Sequence, residues 1–186
     1  MKKSTLSLVL ATALVASGAG IASSAVTAYT TLPKCNGKFA TILSNAATIY
    51  GTTGNDVIVV YGATSHIVHG NKGNDTICGS EATDYIFGGR GSDDIWGGAG
   101  HDIIHGGDAN LALTEDGNDN IYGDAGDDQL FGDNGTDEVH GNAGNDLVHG
   151  NAGNDALFGE AGDDTLVGGP GTDLLRDTEG RNTLTQ

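Results

Sequence analysis

Residues 141–158 read GNAGNDLVHGNAGNDALF, which is one nine-residue phrase written twice. Its first position is Gly, its second is Gly, Asn or Asp, its fourth is Gly, its sixth is Asp and its eighth is an aliphatic residue. The third, fifth, seventh and ninth positions vary. The other copies open at Gly70, Gly79, Gly88, Gly97, Gly123, Gly132, Gly159 and Gly168. One further copy opens at Gly106, is interrupted, and resumes at Gly117. A short fixed period of this kind indicates a solenoid.

Each phrase is predicted to form one turn and one short strand. The first six positions are rich in Gly, Asn and Asp, which readily adopt positive φ angles and do not extend a helix or strand. The last three positions alternate outward, inward and outward on a strand. Two phrases, or eighteen residues, then complete one coil, so the predicted fold class is all-β, a parallel β-roll. Its core is the column of eighth-position residues, namely Ile77, Ile86, Ile95, Ile104, Ile121, Leu130, Val139, Val148, Leu157, Leu166 and Leu175.

The aspartate at the sixth position is predicted to bind metal. Coils stack about 4.8 Å apart, so these carboxylates would align and repel one another in a partly dehydrated turn. A hard divalent cation between turns removes the repulsion, and carboxylate and carbonyl oxygens are the ligands that Ca²⁺ prefers. One such Asp merely suits a turn, but repetition at every copy favours a metal. The predicted ligands are Asp75, Asp84, Asp93, Asp102, Asp119, Asp128, Asp137, Asp146, Asp155, Asp164 and Asp173.

The repeat resembles that of the RTX, or haemolysin-type, calcium-binding nonapeptide proteins over roughly two thirds of the chain. The resemblance implies that each Ca²⁺ lies between the turns of copies n and n+2, bound by both sixth-position Asp side chains and by carbonyl oxygens of the first four positions. Two columns of six and five aspartates would have five and four gaps, a ceiling of nine interior sites. Ala82, which replaces a fourth-position Gly, weakens the site it borders, as the interruption does. The carbonyl-donating glycines implied are Gly88, Gly97, Gly123, Gly132, Gly141, Gly150 and Gly159.

Residues 1–28 have the pattern of a secretory signal peptide. Lys2 and Lys3 precede an apolar run over residues 6–16, and small residues end the segment at Ala28. A membrane anchor is less favoured, because the run is short and diluted by Ser, Thr and Gly. We therefore expect a secreted, extracellular protein. Haemolysin-type toxins typically carry a C-terminal secretion signal, but only ten residues follow Arg176, so a toxin of that kind is not expected.

Acidic residues dominate the composition. The formal net charge is −17, and removal of Lys2 and Lys3 leaves six basic against 25 acidic residues, or −19. Nucleic acid and anionic membranes are therefore poor partners. With one core side chain per nine residues, apolar burial alone should not offset the chain entropy. We expect a largely disordered metal-free chain that Ca²⁺ binding folds.

The segments around the clear repeats divide the chain further. Residues 29–50 are predicted to cap the solenoid. Residues 51–69 hold two faded copies, the second with Ser65 where Asp belongs, so weak or absent metal binding is expected there. The calcium-binding roll spans residues 70–176, with an insertion at 108–116 that is either a tolerated loop or an added contact or metal ligand. Residues 177–186 are predicted to be a C-terminal tail.

The two cysteines, Cys35 and Cys78, are predicted to form a disulfide, because an even pair in an oxidising compartment favours one. The bond would join the cap to the first clear copy. A metal or catalytic thiol pair is less favoured, since no CxxC spacing occurs. The segment is also similar to the start of secreted actinobacterial-type calcium-binding repeat proteins, through Cys35, Gly37, Ala40, Thr41 and Ile42.

No motif for a nucleophile elbow, a zinc protease or a phosphate loop occurs, so an enzyme is not expected. The predicted function is an extracellular calcium-binding protein that folds on Ca²⁺ binding. The alternative is a structural, adhesive or enzyme-accessory module in which Ca²⁺ is only scaffolding. The face that presents seventh- and ninth-position side chains from Tyr85 to Val167 has no carboxylate. This acid-free face is either a surface for self-association or for a protein partner, or its side chains stack as ladders on neighbouring coils and so favour the strands.

Overall fold

The computed structural model describes residues 33–108 and 116–186. The described residues form strands and turns without a helix, so none of these segments is a helix long and apolar enough to cross a membrane. The strands are β1 (Lys34–Cys35), β2 (Lys38–Phe39), β3 (Ile42–Ser44), β4 (Thr48–Tyr50), β5 (Val57–Val60), β6 (Ile67–Lys72), β7 (Thr76–Cys78), β8 (Tyr85–Arg90), β9 (Asp94–Ala99), β10 (Ile103–His105), β11 (Asn120–Ala125), β12 (Gln129–Phe131), β13 (Asn134–Gly135), β14 (Glu138–Ala143), β15 (Leu147–His149), β16 (Ala152–Gly153), β17 (Ala156–Ala161), β18 (Thr165–Val167), β19 (Leu174–Arg176) and β20 (Thr183–Thr185).

Two parallel sheets make up the solenoid. One has the order β20-β18-β15-β12-β10-β8-β6-β4 and the other β19-β17-β14-β11-β9-β7-β5-β3. Successive repeat strands therefore alternate between sheets, and the chain winds through about eight coils. The predicted all-β parallel β-roll is confirmed.

The pairing register follows the predicted eighteen-residue coil. Leu130 pairs with Val148, and Val148 with Leu166. Across the insertion, Ile104 pairs with Leu130, an offset of 26 residues. The eight additional residues leave the ladder in register. Of the insertion at 108–116, residues 109–115 lie outside the described residues.

The core is the single aliphatic column between the sheets. Its members from Ile77 to Leu166 are 0% exposed, and Leu175 packs against the column partly buried. The turns stack closely at the fourth-position glycines, since a Cβ at Gly126 would overlap the carbonyl oxygen of Gly100. A thin core between tightly stacked turns leaves little apolar burial per residue, so the polar groups of the turns have a large influence on stability.

Both ends of the solenoid carry strands outside the clear repeats. Strand β3 is the end strand of one large sheet and β4 is the end strand of the other. The solenoid therefore begins within the segment predicted as a cap. The predicted disulfide is present, joining Cys35 to Cys78 across 43 residues. At the other end, β20 pairs with β18 and sets Leu184 beside Leu166, which gives the predicted tail a place in the ladder.

Candidate metal centre

The sixth-position aspartates form two columns, one along each edge of the roll. In each column, one oxygen of the carboxylate accepts a hydrogen bond from the backbone N–H of the column member one coil earlier. Asp93 donates to Asp119 Oδ1 at 2.8 Å, and Asp119 donates to Asp137 Oδ1 at 2.9 Å. One column contains Asp75, Asp93, Asp119, Asp137, Asp155 and Asp173, and the other contains Asp84, Asp102, Asp128, Asp146 and Asp164.

The second oxygen of most of these carboxylates has no hydrogen-bond partner. The atoms concerned are buried Oδ2 atoms of Asp75, Asp93, Asp102, Asp119, Asp128, Asp137, Asp146, Asp155, Asp164 and Asp173. Burying an unpaired carboxylate oxygen is costly, and a native fold rarely leaves such an atom unsatisfied. A cation beside each oxygen removes the penalty, so the turns fit the Ca²⁺ that the repeat implies.

Burial also changes the protonation of the columns. Desolvation raises the pKa of Asp119 to about 9, that of Asp93 to about 8 and that of Asp128 to about 7. Backbone N–H donors oppose the rise, and neighbouring carboxylates add to it. The metal-free fold therefore favours a proton on these oxygens, and a cation is the alternative positive partner at neutral pH.

The first-position glycines keep the space beside the unpartnered oxygens open. A Cβ at Gly88 would lie 2.5 Å from Asp93 Oδ2, and one at Gly132 would lie 2.6 Å from Asp137 Oδ2. The same overlap recurs at the other glycines predicted to donate carbonyls, which are Gly97, Gly123, Gly141, Gly150 and Gly159. A side chain at this position would fill the cradle that a cation needs.

The second-position residues adopt left-handed backbone angles in most turns. Asn142 has φ 72° and Asn151 has φ 67°, while Gly89 has φ 107°. Asn, Asp and Gly tolerate this region better than other residues. The preference for these three types in the phrase thus follows from the backbone angle, which Glu160 also adopts with φ 75°.

No three His, Cys, Asp or Glu side chains within residues 33–108 and 116–186 form a group that could hold a metal by themselves. The carboxylates instead lie one per turn. A cation between turns therefore needs backbone carbonyl oxygens to complete its shell, and Ca²⁺ accepts six to eight oxygen ligands of both kinds.

One prediction about the faded copies was wrong. The sixth position of the second copy is His66, not Ser65, because this coil contains one extra residue. Ile49 pairs with Val68, an offset of 19. Val68 pairs with the eighth-position residue Ile86 and so holds the eighth position itself. The sixth position lies two residues earlier, at His66.

Sequence reasoning also missed the C-terminal end of the column that runs from Asp84 to Asp164. Asp164 donates its N–H to Asn182 Oδ1 at 2.9 Å, so Asn182 takes the sixth position of a further copy. Asp177, in the first position of that copy, has a buried Oδ2 without a partner that lies beside Gly159. The signal is Leu184, which marks the eighth position.

The histidines at ninth positions belong to aromatic ladders. Stacked rings run along the acid-free face at centroid spacings of 4.5–5.4 Å, in the order Tyr50, His69, Phe87, His105, Phe131 and His149. A second ladder on the opposite face joins Trp96, Tyr122, His140 and Phe158. The rings thus contact one another between coils, as the ladder interpretation expects.

A comparison with protein families gives one match. The family model of the RTX calcium-binding nonapeptide repeat, in four copies, matches residues 44–62, 67–84, 79–110, 106–139, 113–148, 131–166, 140–175 and 167–185. No curated protein matches the chain. The matched ranges include both columns of aspartates and both terminal copies.

Proposed function

We propose, because the chain belongs to the RTX calcium-binding nonapeptide repeat family, that it is an extracellular calcium-binding protein that folds when Ca²⁺ binds between its stacked turns. The observation that carries the proposal is the pair of columns of buried, unpartnered Oδ2 atoms. A fold that buries such oxygens requires a positive partner beside each of them.

The predicted residues have distinct roles in this proposal. The sixth-position aspartates would hold Ca²⁺ through Oδ2 while Oδ1 keeps adjacent coils in register. The first-position glycines would leave room for the ion and present carbonyl oxygens. Bound Ca²⁺ supplies the positive charge that the stacked carboxylates lack. Up to nine interior gaps between the predicted aspartates could take an ion.

Coupling of binding to folding follows from the energetics of the roll. The aliphatic column is one side chain wide, and the formal net charge is −17. Without Ca²⁺, the coiled state must either protonate its buried carboxylates or bear their repulsion. Ca²⁺ binds only the stacked turns, so its binding free energy stabilises the folded state.

An extracellular location is supported by three observations. The segment with the signal-peptide pattern, residues 1–28, lies outside the described residues, and its support is the sequence alone. The Cys35–Cys78 disulfide is typical of an oxidising compartment. RTX repeat proteins are usually secreted, and the repeat is typically a structural calcium-binding element rather than an enzyme.

Circular dichroism of the purified protein tests the proposal. We expect mainly coil in chelator and β structure at millimolar-order Ca²⁺, the range of extracellular modules. Mg²⁺ at the same concentration is the control, since it demands a smaller, octahedral shell. A β spectrum that is unchanged in chelator would contradict calcium-coupled folding.

The acid-free face supports self-association of the folded protein as an additional function. Tyr85 of this face is 42% exposed, and Ile67, its partner one coil earlier in the same sheet, is 40% exposed. Sedimentation in Ca²⁺ should show a dimer or larger species that Phe131→Asp abolishes. Phe158→Asp, in the ladder of the opposite face, should leave the assembly intact. If wild type and both variants are folded monomers, the face has no such role.

A further inference from the structure

Two turns near the N-terminal end are closed by hydrogen bonds where the other turns leave an oxygen unpartnered. Asp56 Oδ2 accepts the N–H of Thr52 at 2.7 Å and its hydroxyl at 2.8 Å. Asp84 Oδ2 accepts the N–H of Ser80 at 2.7 Å. Neither oxygen belongs to the unpartnered set. These turns satisfy their own carboxylates without a cation.

The difference originates at the second position of the phrase. Thr52 and Ser80 occupy this position, and neither has a positive φ. Their N–H groups consequently point at the aspartate of the same turn. Where the second residue is left-handed, its N–H bonds elsewhere: Asp124 donates to Asn142 Oδ1 at 3.3 Å. A β-branched Thr disfavours the left-handed region, which fits the turn at Thr52, whereas Glu160 adopts that region in a later turn with φ 75°.

His66 completes the closure of the turn at Asp84. The N–H and Nδ1 of His66 each lie 2.9 Å from Asp84 Oδ1, and both side chains are 0% exposed. An imidazole therefore stands where the next coils present a carboxylate. With Ser80 on Oδ2, both oxygens of Asp84 have protein partners, while His66 Nε2 is buried without one.

Further contacts hold the same coils together without metal. The aliphatic column continues there through Ile49, Ile58 and Val68, and Val60 adds one buried member beside it. The Cys35–Cys78 disulfide ties the N-terminal hairpin to β7. The turn at Asp75 is not closed in this way, because its Oδ2 is unpartnered. Turns with an unpartnered Oδ2, here called calcium-type turns, therefore begin one coil earlier in the Asp75 column than in the Asp84 column.

We propose that Thr52, Ser80 and His66 make residues 33–88 a calcium-independent end of the roll, on which the calcium-dependent coils fold. The proposal rests on the calcium-coupled folding argued above and identifies where that folding starts. A solenoid gains stability by pairing each new coil with a formed neighbour. The downstream coils can therefore pair with the preformed strands β7 and β8, and they avoid the entropic cost of closing the first coil of a new stack. The same closure leaves the gap between Asp84 and Asp102 without calcium.

Amide hydrogen exchange of the full disulfide-bonded chain tests the inference. In chelator we expect protection within residues 42–88 and fast exchange beyond Asp93; in Ca²⁺ we expect protection throughout. Fast exchange of the whole chain in chelator, with protection in Ca²⁺, would overturn the preformed end while leaving calcium-coupled folding intact. Uniform protection in chelator would overturn both.

A second-position variant tests the cause. Ser80→Gly should turn the backbone N–H at position 80 away from Asp84 and reopen the turn, because glycine takes φ 107° and 104° at the equivalent Gly89 and Gly98. We expect protection of residues 42–88 in chelator to fall and the Ca²⁺ count by native mass spectrometry to rise by one. Asn142→Gly, the control in a calcium-type turn, should change neither quantity. An unchanged count and unchanged protection in Ser80→Gly would refute the role of the second position. If Ser80→Gly does not fold, the wild-type exchange pattern still decides the proposal.

Discussion

At the residue scale, Asp128 connects the stacking of coils with the proposed metal site. Its Oδ1 accepts the N–H of Asp102 at 2.7 Å, and its own N–H donates to Asp146 Oδ1 at 2.8 Å. Its Oδ2 is buried and unpartnered. The same carboxylate therefore sets the register through one oxygen and presents the other to the gap between turns.

Replacement of Asp128 by Ala should raise the Ca²⁺ concentration at the midpoint of folding. The change removes a ligand from two adjacent gaps of the column, and the midpoint is read by circular dichroism during a Ca²⁺ titration. Asp127→Ala is the matched control, since it removes the same charge from an exposed neighbour. A change at Ser65, which is not a column residue, should also have little effect. Equal shifts for Asp128→Ala and Asp127→Ala would show that overall charge, rather than a ligand, is responsible.

The strands depend on neighbours for nearly all their stability. A repeat strand such as β12 (Gln129–Phe131) has three residues, too short to persist alone. It is held by β10 on one side and β15 on the other. The N-terminal hairpin, β1 with β2, lacks a place in the two large sheets and is tied to β7 by the disulfide.

Reduction of the Cys35–Cys78 disulfide should lower the free energy of unfolding by about 2–4 kcal/mol, if the loop-entropy account holds. The measurement is urea unfolding at saturating Ca²⁺, with and without reductant. A variant with both cysteines changed to Ala should match the reduced protein and show no response to reductant. Equal stability of the oxidised and reduced forms would contradict the proposed role of the bond.

At the scale of the whole molecule, the proposed calcium-coupled folding should also depend on protons. The pKa of buried column aspartates is raised, to about 9 for Asp119 and about 7 for Asp146. A carboxyl with a raised folded-state pKa stabilises the metal-free fold below its unfolded value, near 3.8. That stabilisation is lost as pH rises through the folded-state pKa. The metal-free roll is therefore least stable in the neutral to alkaline range.

We accordingly expect acid to replace calcium in part. In chelator, β structure should increase as pH falls from 8 towards 4. In Ca²⁺, the midpoint of folding should move to higher Ca²⁺ as pH falls, because protons compete for the same Oδ2 atoms. Both series should be repeated at raised ionic strength, because salt screens repulsion between surface charges much more than between buried groups. A pH effect that persists in salt then arises from the buried carboxylates. A midpoint that does not change between pH 8 and pH 5 would contradict the competition.

The amino-acid sequence alone determined the parallel β-roll, its eighteen-residue coil, its aliphatic column and its sixth-position aspartates. These follow because one local phrase repeats, and identical neighbours have one way to stack with their core side chains aligned. The cysteine pairing also followed from the count of two together with the expected oxidising compartment. The roles of the aspartates and glycines as calcium ligands stay predictions.

Only the tertiary structure decided how the repeat ends. The extra residue in the second faded copy moved the sixth position from Ser65 to His66, and pairing of Val68 with Ile86 was needed to reveal it. The hydrogen bonds from Ser80 and His66 to Asp84 join residues 4 and 18 positions apart. Within the stacked interior the repeat sets each contact, because every coil has the same neighbours. At the ends a coil lacks one neighbour, so contacts outside the period determine which polar groups are satisfied.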